Sequence, residues 1–355
     1  LNKIPKISVL MSVFNGQKYL KDSIKSIIRQ THSNFEFIII NDGSTDSTLE
    51  IINSFDDDRI QIINNQHNIG LTKSLNKGIK IANGEYIARM DADDLSRSSR
   101  LEKQVQFLDQ NPNVILAGTQ ANLINRYGKK VRGIPAVKKP CSHNAIKWFC
   151  MFDNPFYHSS VMFRSKIILD ELNGYNEDFY TNQDYELWSI LVNKYRAVNL
   201  PFKLIDLRVH NNSISSNYNL KSKKLIESII YNYIHLMRNK NIDLNLIKTW
   251  ATLILKPGKI SKSEAIRVKN HVENLYKNFN QNSDEIDYNE ILHFKACLNL
   301  RIAYLLADYH KLFSLKLFIT NANKIPTEVA DIFLKYFLKT IIPNWVKLLL
   351  RRSNG

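Results

Sequence analysis

Apolar residues alternate between two spacings over residues 1–90 of the chain. Nearly continuous apolar runs at Ile7–Phe14 and Phe35–Ile40 are typical of strands in a parallel sheet that helices cover on both faces. Between them, Tyr19–Arg29 repeats apolar residues at helical spacing. The alternation continues with a strand at Ile60–Ile63, a helix at Leu71–Ala82 and a strand at Glu85–Met90. This rhythm predicts a doubly wound, mainly parallel α/β sheet.

Beyond residue 95 the pattern predicts a second set of elements. It predicts helices at Arg100–Gln110, Lys166–Leu172 and Asp184–Asn193, strands at Val114–Gly118, Ala121–Tyr127 and Ser160–Phe163, and one or two edge strands at Ala197–Arg208. Residues 131–150 give no clear prediction. From Leu220 onward, apolar residues recur at helical spacing and predict a region of several helices.

The composition is that of a globular protein with an excess of positive charge. The 355 residues suffice for one large or two ordinary domains, and 44% are hydrophobic and 23% charged. The net charge of +16 favours an anionic partner, which leaves nucleic acid, an acidic membrane face or a phosphorylated substrate open. From Tyr218 onward, Lys and Arg outnumber Asp and Glu.

The spacing of the cysteines and the length of the apolar runs bear on the compartment in which the protein is found. The three cysteines lack C-x-x-C spacing, so the sequence indicates neither a zinc site nor a disulfide framework. No basic segment followed by a long apolar run resembles a secretion signal, and no uninterrupted apolar run reaches the roughly 18 residues of a membrane span. We therefore expect a cytoplasmic protein.

Three carboxylates, Asp91, Asp93 and Asp94, directly follow the strand that ends at Met90. Carboxylates this close repel one another, and a hard divalent cation such as Mg²⁺ or Mn²⁺ relieves the repulsion while keeping coordination sites open for substrate phosphates. Ligands of open α/β sheets bind beyond the carboxyl ends of the strands, where this cluster falls. A solvated acidic turn or a helix cap explains the pattern alone equally well.

The loops after the first two strands, Phe14-Asn15-Gly16 and Asn41-Asp42-Gly43-Ser44, also lie where a nucleotide binds in such a sheet. The sequence contains neither a dinucleotide fingerprint nor a P-loop. Asp42 is able to accept a hydrogen bond from the imide N–H of uracil. The alternative is that Asp42 only caps a turn.

Taken together, the ordered motifs resemble those of family-2 inverting glycosyltransferases with the GT-A fold. The motifs are Val9–Asn15, Asn41–Asp46, Asn68–Leu71, Asp91–Asp94, Asn154–Arg164, Gln183–Trp188 and Arg208–Ser215. They span residues 5–216, which is more than half of the chain. Their joint order is more specific than any one of them.

The resemblance implies a domain organisation and a reaction. A GT-A catalytic domain is expected at 1–217, with a nucleotide-sugar half at 1–95 and an acceptor half at 96–217, followed by a basic helical region at 218–355. The implied reaction transfers a hexose or N-acetylhexosamine from a UDP-sugar to a glycan, including a lipid-linked one, in bacterial capsule, O-antigen or lipooligosaccharide synthesis.

The resemblance also implies roles for residues that match the motifs. On the donor side these are Phe14 and Asn15 at the uridine, Asp42 at the uracil, Asp91 and Ala92 at the ribose or metal shell, Asp93 as the ligand of Mn²⁺ or Mg²⁺, and His210 near the diphosphate or metal. Asp184 matches the catalytic base, although a carboxylate that begins a helix is often only a cap. His158, Ser159 and Gln183 are expected on the acceptor side, with a buried, packing His158 as the alternative.

Three positions depart from the family pattern. Ser12 stands where a proline is common at the first strand, which is a minor change. Gln183 stands where an acidic residue often precedes the base, and Leu75 stands where an arginine is frequent. Lys73 is then expected to supply the positive charge in the helix that follows Asn68–Gly70. Its alternative is an ordinary exposed lysine.

The end of the chain combines apolar and basic residues. They are Phe333, Lys335, Phe337, Leu338, Lys339, Ile341, Ile342, Trp345, Lys347, Leu348–Leu350, Arg351 and Arg352. This composition favours a peripheral contact with the cytoplasmic membrane face. An amphipathic helix packed on its own domain or in a homodimer remains equally open.

Two other functions fit parts of the sequence. The charge permits a nucleic-acid-binding module, but no helix-turn-helix, aromatic-studded sheet or zinc motif is present, so we expect no nucleic-acid partner. A sugar nucleotidyltransferase would need a glycine-rich basic loop after the first strand, and Phe14-Asn15-Gly16-Gln17 is not such a loop.

Overall fold

The computed structural model describes residues 4–131, 136–210, 220–236, 245, 247–248, 261–279, 285–306 and 321. The chain divides into two compact units, Leu1–Ile229 and Ile230–Gly355. The first unit contains the sheet.

Eight strands form one mixed, mostly parallel sheet in the described residues. They are β1 (Ile7–Val13), β2 (Phe35–Asn41), β3 (Ile60–Asn64), β4 (Tyr86–Asp91), β5 (Leu95–Ser96), β6 (Val114–Ile124), β7 (Met162–Arg164) and β8 (Arg196–Arg208), in the order β3-β2-β1-β4-β7-β6-β8-β5. β1 is parallel to β2 and β4, whereas β7 is antiparallel to both of its neighbours. The predicted α/β class is confirmed.

Helices connect these strands and continue after them. In the first part of the chain they are α1 (Leu20–Ile28), α2 (Thr48–Asn53), α3 (Leu71–Ile81), α4 (Arg100–Gln110), α5 (His143–Cys150), a short 3₁₀ helix (His158–Ser160), α6 (Ser165–Leu172) and α7 (Gln183–Lys194). They are followed by α8 (Leu220–Leu236), α9 (Lys262–Phe279) and α10 (Glu285–Leu306), as expected for a helical C-terminal region.

Burial follows the position of each strand in the sheet. Every residue of β1 is buried, because β1 pairs on both edges, α1 packs its apolar face into the same core cluster, and α3 places Gly78 against Leu10. At the sheet edge, β3 is partly exposed over its whole length. Continuous apolar runs therefore mark central strands here, as the sequence predicted.

Two predictions about the second half of the sheet are wrong. The segments Val114–Gly118 and Ala121–Tyr127 are not separate strands, because β6 runs unbroken to Ile124 and absorbs register shifts between Thr119 and Ala121. The strand at Arg196–Arg208 is not an edge strand, because it pairs with β6 along one side and with β5 at Leu95–Asp206 on the other. Residues 131–150, which gave no prediction, contain α5.

The sheet register brings several polar segments to one edge. Val13 is level with Asn41 and Ser12 is level with Asp91, so the loops after β1, β2 and β4 start side by side. β7 runs antiparallel to β4, with Ala88 opposite Met162, and therefore delivers the 3₁₀ helix to the same edge. Long-range strand pairing thus assembles the candidate site.

Among the described residues, no helix combines the length and apolar character needed to cross a membrane. The basic apolar segment at 333–352 lies outside the described residues. Its membrane contact therefore stays a prediction, as does the homodimer.

Candidate active site

The loop after β1 is held against the segment that precedes α2. Asn15 adopts a left-handed conformation with φ of +51°, and its Oδ1 accepts a hydrogen bond from the Thr45 amide at 2.9 Å. The Gly16 amide donates to Thr48 Oγ1 at 2.8 Å. The Phe14 side chain remains 48% exposed at this loop. These contacts fix the backbone of residues 14–16, called the shelf below, at the carboxyl edge of the sheet. The Phe14 side chain lies on its exposed surface.

Asp42 organises the neighbouring loop from a buried position. Its Oδ1 accepts hydrogen bonds from Asn65 Nδ2 at 2.8 Å and the Ile69 amide at 3.0 Å, and its Oδ2 accepts one from the Gly70 amide at 3.0 Å. A carboxylate offers about four lone-pair sites, so Oδ2 retains one. Asp42 therefore holds the loop that leads into α3 and keeps capacity for one further donor.

Gly43 allows this loop to pass close to β2. Its φ is +69°, and a Cβ there would collide with the backbone carbonyl carbon of His67. We expect Gly43→Ala to lower the free energy of unfolding by about 1–3 kcal/mol more than Gly128→Ala, as measured by urea unfolding. Gly128 is a matched control, because its φ is +77° but the nearest atom to its Cβ is 3.8 Å away. Equal losses in the two variants would show that the close approach carries no cost.

Ser159 joins two carboxylates of the acidic cluster. Its Oγ lies 2.5 Å from Asp91 Oδ2 and 2.5 Å from Asp94 Oδ2. A hydroxyl has one hydrogen, so one of these carboxyl groups must itself donate. Burial and the charges of Asp93 and Asp91 raise the pKa of Asp94 well above its ordinary value. Asp94 is thus the more readily protonated of the two carboxyl groups, and Ser159 donates to Asp91.

Arg89 supplies the opposing charge from inside the sheet. Its Nη1 lies 2.5 Å from Asp91 Oδ1, and its side chain is 1% exposed. Burial by itself raises the pKa of Asp91, but Arg89 and the hydrogen bond from Ser159 outweigh burial and lower it below the usual range. Asp91 is therefore an ionised carboxylate with both oxygens directed at protein groups.

Asp93 and His210 face each other at the end of β8. His210 Nε2 is 2.7 Å from Asp93 Oδ2, and the imidazole packs on the Tyr19 ring at 5.1 Å between centroids. Arg208 Nε donates to the Asp93 carbonyl at 2.7 Å and fixes its backbone. Burial and the charge of Asp91 raise the pKa of Asp93 despite His210. The sequence-predicted metal residues Asp93 and His210 are therefore brought together.

This donor set fits a divalent cation that also binds phosphate. Mg²⁺ and similar ions take one or two carboxylates and fill the other positions with water and substrate oxygens, and imidazole is a good ligand for Mn²⁺-like metals. Asp93 and His210 offer such a pair, whereas Asp91 is engaged by Arg89 and Ser159. Among the described residues, no three His, Cys, Asp or Glu side chains form a complete metal cage. A cation at this pair would complete its coordination with water or substrate oxygens.

Asp184 lies in the first turn of α7. Asn154 Nδ2 donates to Asp184 Oδ2 at 2.7 Å. Burial raises the pKa of Asp184, while Asn154 and the charge of Arg89 oppose the increase and Asp91 adds to it. Trp188 of the same helix packs against His158, the neighbour of Ser159, and Ser159 binds Asp91, so α7 lies next to the segment that holds the acidic cluster. A raised pKa makes Asp184 a stronger base than an ordinary aspartate.

The three residues expected on the acceptor side are buried or partly buried. His158 Nε2 is 2.9 Å from the Tyr175 hydroxyl, its ring packs edge-on to Trp188, and burial lowers its pKa well below the usual value, so it is neutral. Ser159 is 1% exposed and Gln183 is 4% exposed. His158 therefore packs in the interior, which is the alternative that the sequence left open for it. The acceptor-side role of the three residues stays a prediction.

The remaining sequence-predicted residues occupy different surroundings. Lys73 is exposed on α3, and Leu75, which replaces a frequent arginine, is wholly buried in the core. Ala92 packs partly buried against the main apolar core.

Sequence reasoning missed the residues that connect these groups. Arg89 interrupts an otherwise apolar buried strand, and that interruption is a detectable signal of a buried ion pair. Asn154 belongs to a recognised motif, but nothing in the sequence assigns it to Asp184. Arg208 and Tyr19, which pack together at 4.5 Å, meet only through the fold.

Comparison with known proteins identifies the family. The model of "Glycosyl transferase family 2" matches residues 8–172. An uncharacterized glycosyltransferase of Haemophilus influenzae is 33% identical over 275 residues, which covers 74% of this chain and 85% of that protein. This chain belongs to glycosyltransferase family 2. Membership in the family makes the protein a transferase enzyme.

This glycosyltransferase is also similar to a relative with a named biosynthetic role and to solved structures that share its fold. The O-antigen biosynthesis glycosyltransferase WbnJ of Escherichia coli is 36% identical over 222 residues, covering 60% of this chain and 83% of that protein. The S. aureus TarS 1–349 structure in complex with UDP-GlcNAc has a TM-score of 0.57 at 15% identity, with 89% of each chain covered. The Pyrobaculum calidifontis mannosyltransferase PcManGT, in complex with GDP-Man and Mn²⁺, has a TM-score of 0.51 at 16% identity over 78% of this chain and 83% of that chain.

Proposed function

We propose that this glycosyltransferase is a metal-dependent, inverting enzyme that moves a hexose or N-acetylhexosamine from a UDP-sugar to a glycan acceptor. The acceptor belongs to bacterial surface polysaccharide synthesis and is free or lipid-linked. The observation that carries the proposal is the position of Asp91 beside the Asp93–His210 pair, where its charge acts on both Asp93 and Asp184.

The donor nucleotide lies along the carboxyl edge of β1, β2 and β4. The shelf of Phe14 and Asn15 supports the uridine, and the remaining lone pair of Asp42 accepts the imide N–H of uracil. Guanine also carries a ring N–H, so GDP-sugars belong among the donors to be tested. Lys73, exposed on α3, is the nearby cation expected to attract the diphosphate.

Asp93 and His210 hold the Mn²⁺ or Mg²⁺ ion in this proposal. When bound, the ion stabilises the negative charge that develops on the departing UDP. Arg89 and Ser159 engage the two oxygens of Asp91, which leaves Asp93 and His210 as the residues that would hold the ion. Arg208 fixes the backbone of Asp93 and thereby the direction of its carboxylate.

Asp184 removes the proton from the acceptor hydroxyl as that oxygen attacks the anomeric carbon. Its Oδ2 is held by Asn154, which leaves Oδ1 to accept the proton. Attack opposite to the UDP bond inverts the anomeric configuration, as in inverting hydrolysis with a sugar hydroxyl in place of water. The role requires no covalent sugar intermediate.

The raised pKa of Asp184 predicts the pH dependence. The base acts only when ionised, so activity is lost as pH falls through the pKa of this carboxyl, and that loss should begin at higher pH than for an ordinary aspartate. Initial rates at low donor concentration over a pH series test this. An acid limb in the usual aspartate range would contradict the assignment.

A donor screen tests the proposed function directly. UDP or GDP release is measured over several UDP-sugars and GDP-mannose, with Mn²⁺, Mg²⁺ or a chelator, and with glycan acceptors. We expect release from at least one UDP-sugar that requires both metal and acceptor. Metal-independent release would refute metal dependence, and pyrophosphate release from a nucleoside triphosphate would instead favour a nucleotidyltransferase.

A further inference from the structure

A buried ammonium group, that of Lys139, is connected to Asp184 through Asn154. Lys139 is 6% exposed, and its Nζ donates a hydrogen bond to the Asn154 carbonyl oxygen at 2.6 Å. A lysine is rarely buried to this extent without a specific partner. The donor-binding groups do not account for it, because none of its described contacts is with the nucleotide edge.

The surroundings hold this ammonium in place. Nζ lies 5.3 Å from the centroid of the Phe149 ring and 5.0 Å from that of Tyr157, which is the range of cation–π attraction. The Lys139 backbone is fixed as well, because its amide donates to Gln120 Oε1 at 3.0 Å and its carbonyl accepts from Gln120 Nε2 at 2.9 Å. Lys139 is therefore a rigid element and not a mobile surface cation.

Asn154 links Lys139 to the base. Its carbonyl oxygen binds the ammonium, while its side-chain Nδ2 donates to Asp184 Oδ2 at 2.7 Å. Its own Oδ1 accepts from the Phe156 amide at 3.1 Å, which fixes the orientation of the side-chain amide. Both ends of Asn154 are thus occupied, and a movement of Lys139 would move the donor that orients Asp184.

Lys139 and Asp184 also interact through their charges, in addition to the hydrogen bonds through Asn154. Burial lowers the pKa of Lys139, and the negative charges of Asp153 and Asp184 act against that decrease. The other groups that act electrostatically on Asp184 are Arg89, which favours its ionised form, and Asp91, which opposes it. Tyr175 also interacts with Asp184 and stays neutral, because burial raises its pKa. Lys139 is thus, like Arg89, a buried cation whose charge interacts with that of Asp184.

We propose that Lys139, acting through Asn154, is a positioning residue that orients the Asp184 carboxylate and stabilises its ionised form for proton removal from the acceptor. This assignment rests on the proposed function, because it presumes that Asp184 is the base. It concerns turnover and not donor binding.

Lys139→Met tests the assignment, because Met keeps the volume between the two aromatic rings and removes the charge. We expect kcat to fall about tenfold or more, with KM for the donor unchanged within about twofold. The acid limb of the kcat–pH profile should move to higher pH by about one unit, because the carboxylate loses a stabilising charge. Lys139→Arg, which retains the charge, should return the acid limb to the wild-type position.

Two controls make the result specific. Lys103→Met removes another aromatic-packed ammonium, which lies 4.2 Å from the Phe202 ring, and should leave kcat and the pH profile at wild-type values. UDP binding by calorimetry and thermal unfolding establish that the variant is folded. If Lys139→Met does not fold, Lys139→Gln, which keeps a polar head for the Asn154 carbonyl, is measured with the same expectations.

The outcomes separate this assignment from the proposed function. A folded Lys139→Met enzyme with wild-type kcat and an unmoved acid limb, measured alongside an inactive Asp184→Asn enzyme, overturns the role of Lys139 alone. Equal losses of kcat and UDP binding without a pH shift would also overturn it, because they indicate a purely structural residue. A wild-type enzyme that transfers no sugar from any donor overturns the proposed function and this assignment together.

Discussion

Asp184→Asn should lower kcat by about 10²–10⁴-fold while UDP binds with unchanged affinity. The substitution removes the proton acceptor, and positioned general bases contribute rate factors of about this size. The fold should persist, because an asparagine oxygen at this position is still able to accept the 2.7 Å hydrogen bond from Asn154. Steady-state transfer rates and UDP titration by calorimetry measure the two effects separately.

The matched control for this variant is Asp178→Asn. Asp178 is an exposed carboxylate in the segment that leads to α7. Its replacement changes the net charge equally and should leave kcat at the wild-type value. Substantial turnover by Asp184→Asn would place the base elsewhere, whatever the behaviour of the control.

Asp93→Asn should lower kcat/KM by about 10²–10³-fold and abolish the dependence of UDP affinity on Mn²⁺ or Mg²⁺. Losing one group that stabilises leaving-group charge typically costs a factor of this order. Asparagine is nearly isosteric and is able to keep a hydrogen bond with His210, so the loop geometry should survive. UDP titrations with metal and with chelator, in both enzymes, give the metal-linked part of the affinity.

Asp58→Asn is the control here, because Asp58 is exposed in the connection that leads into β3. It should bind UDP with the same metal dependence as the wild type. A metal effect on UDP affinity that survives in Asp93→Asn would assign the cation to other ligands.

The first half of the sheet was readable from the sequence because its strands β1 and β2 are central. The apolar runs of β1 and β2 are buried almost throughout, so hydrophobicity alone locates them. The carboxyl-end rule then gives the positions of Asp42 and Asp93 without any knowledge of contacts. The family resemblance added the candidate base, Asp184, which the helix pattern alone assigns only to a cap.

The second half was less readable because it depends on long-range pairing. β6 continues through polar residues by shifting register, and β8 becomes an interior strand only because β5, two residues long, pairs with its far side. Neither feature leaves a local signal. The prediction of edge strands at Ala197–Arg208 failed for this reason.

The supporting shell of the site was the least predictable part. Lys139 lies in the segment 131–150, which gave no prediction, yet it is buried and connected to Asp184 through Asn154. Arg89 pairs with Asp91 inside the sheet. Burial of a cation depends on which rings and carboxylates the fold brings near it, and a sequence pattern does not encode that neighbourhood. The division of the chain at residue 217 into a catalytic domain and a helical region also stays a prediction.

The configuration of the product tests most directly whether one carboxylate removes the acceptor proton while UDP leaves from the opposite face. The anomeric configuration of the newly formed linkage is determined by NMR on product made from an α-configured UDP-sugar. The proposed arrangement of Asp93 and Asp184 predicts a β linkage. An α linkage would contradict it and require a different arrangement of the reacting groups.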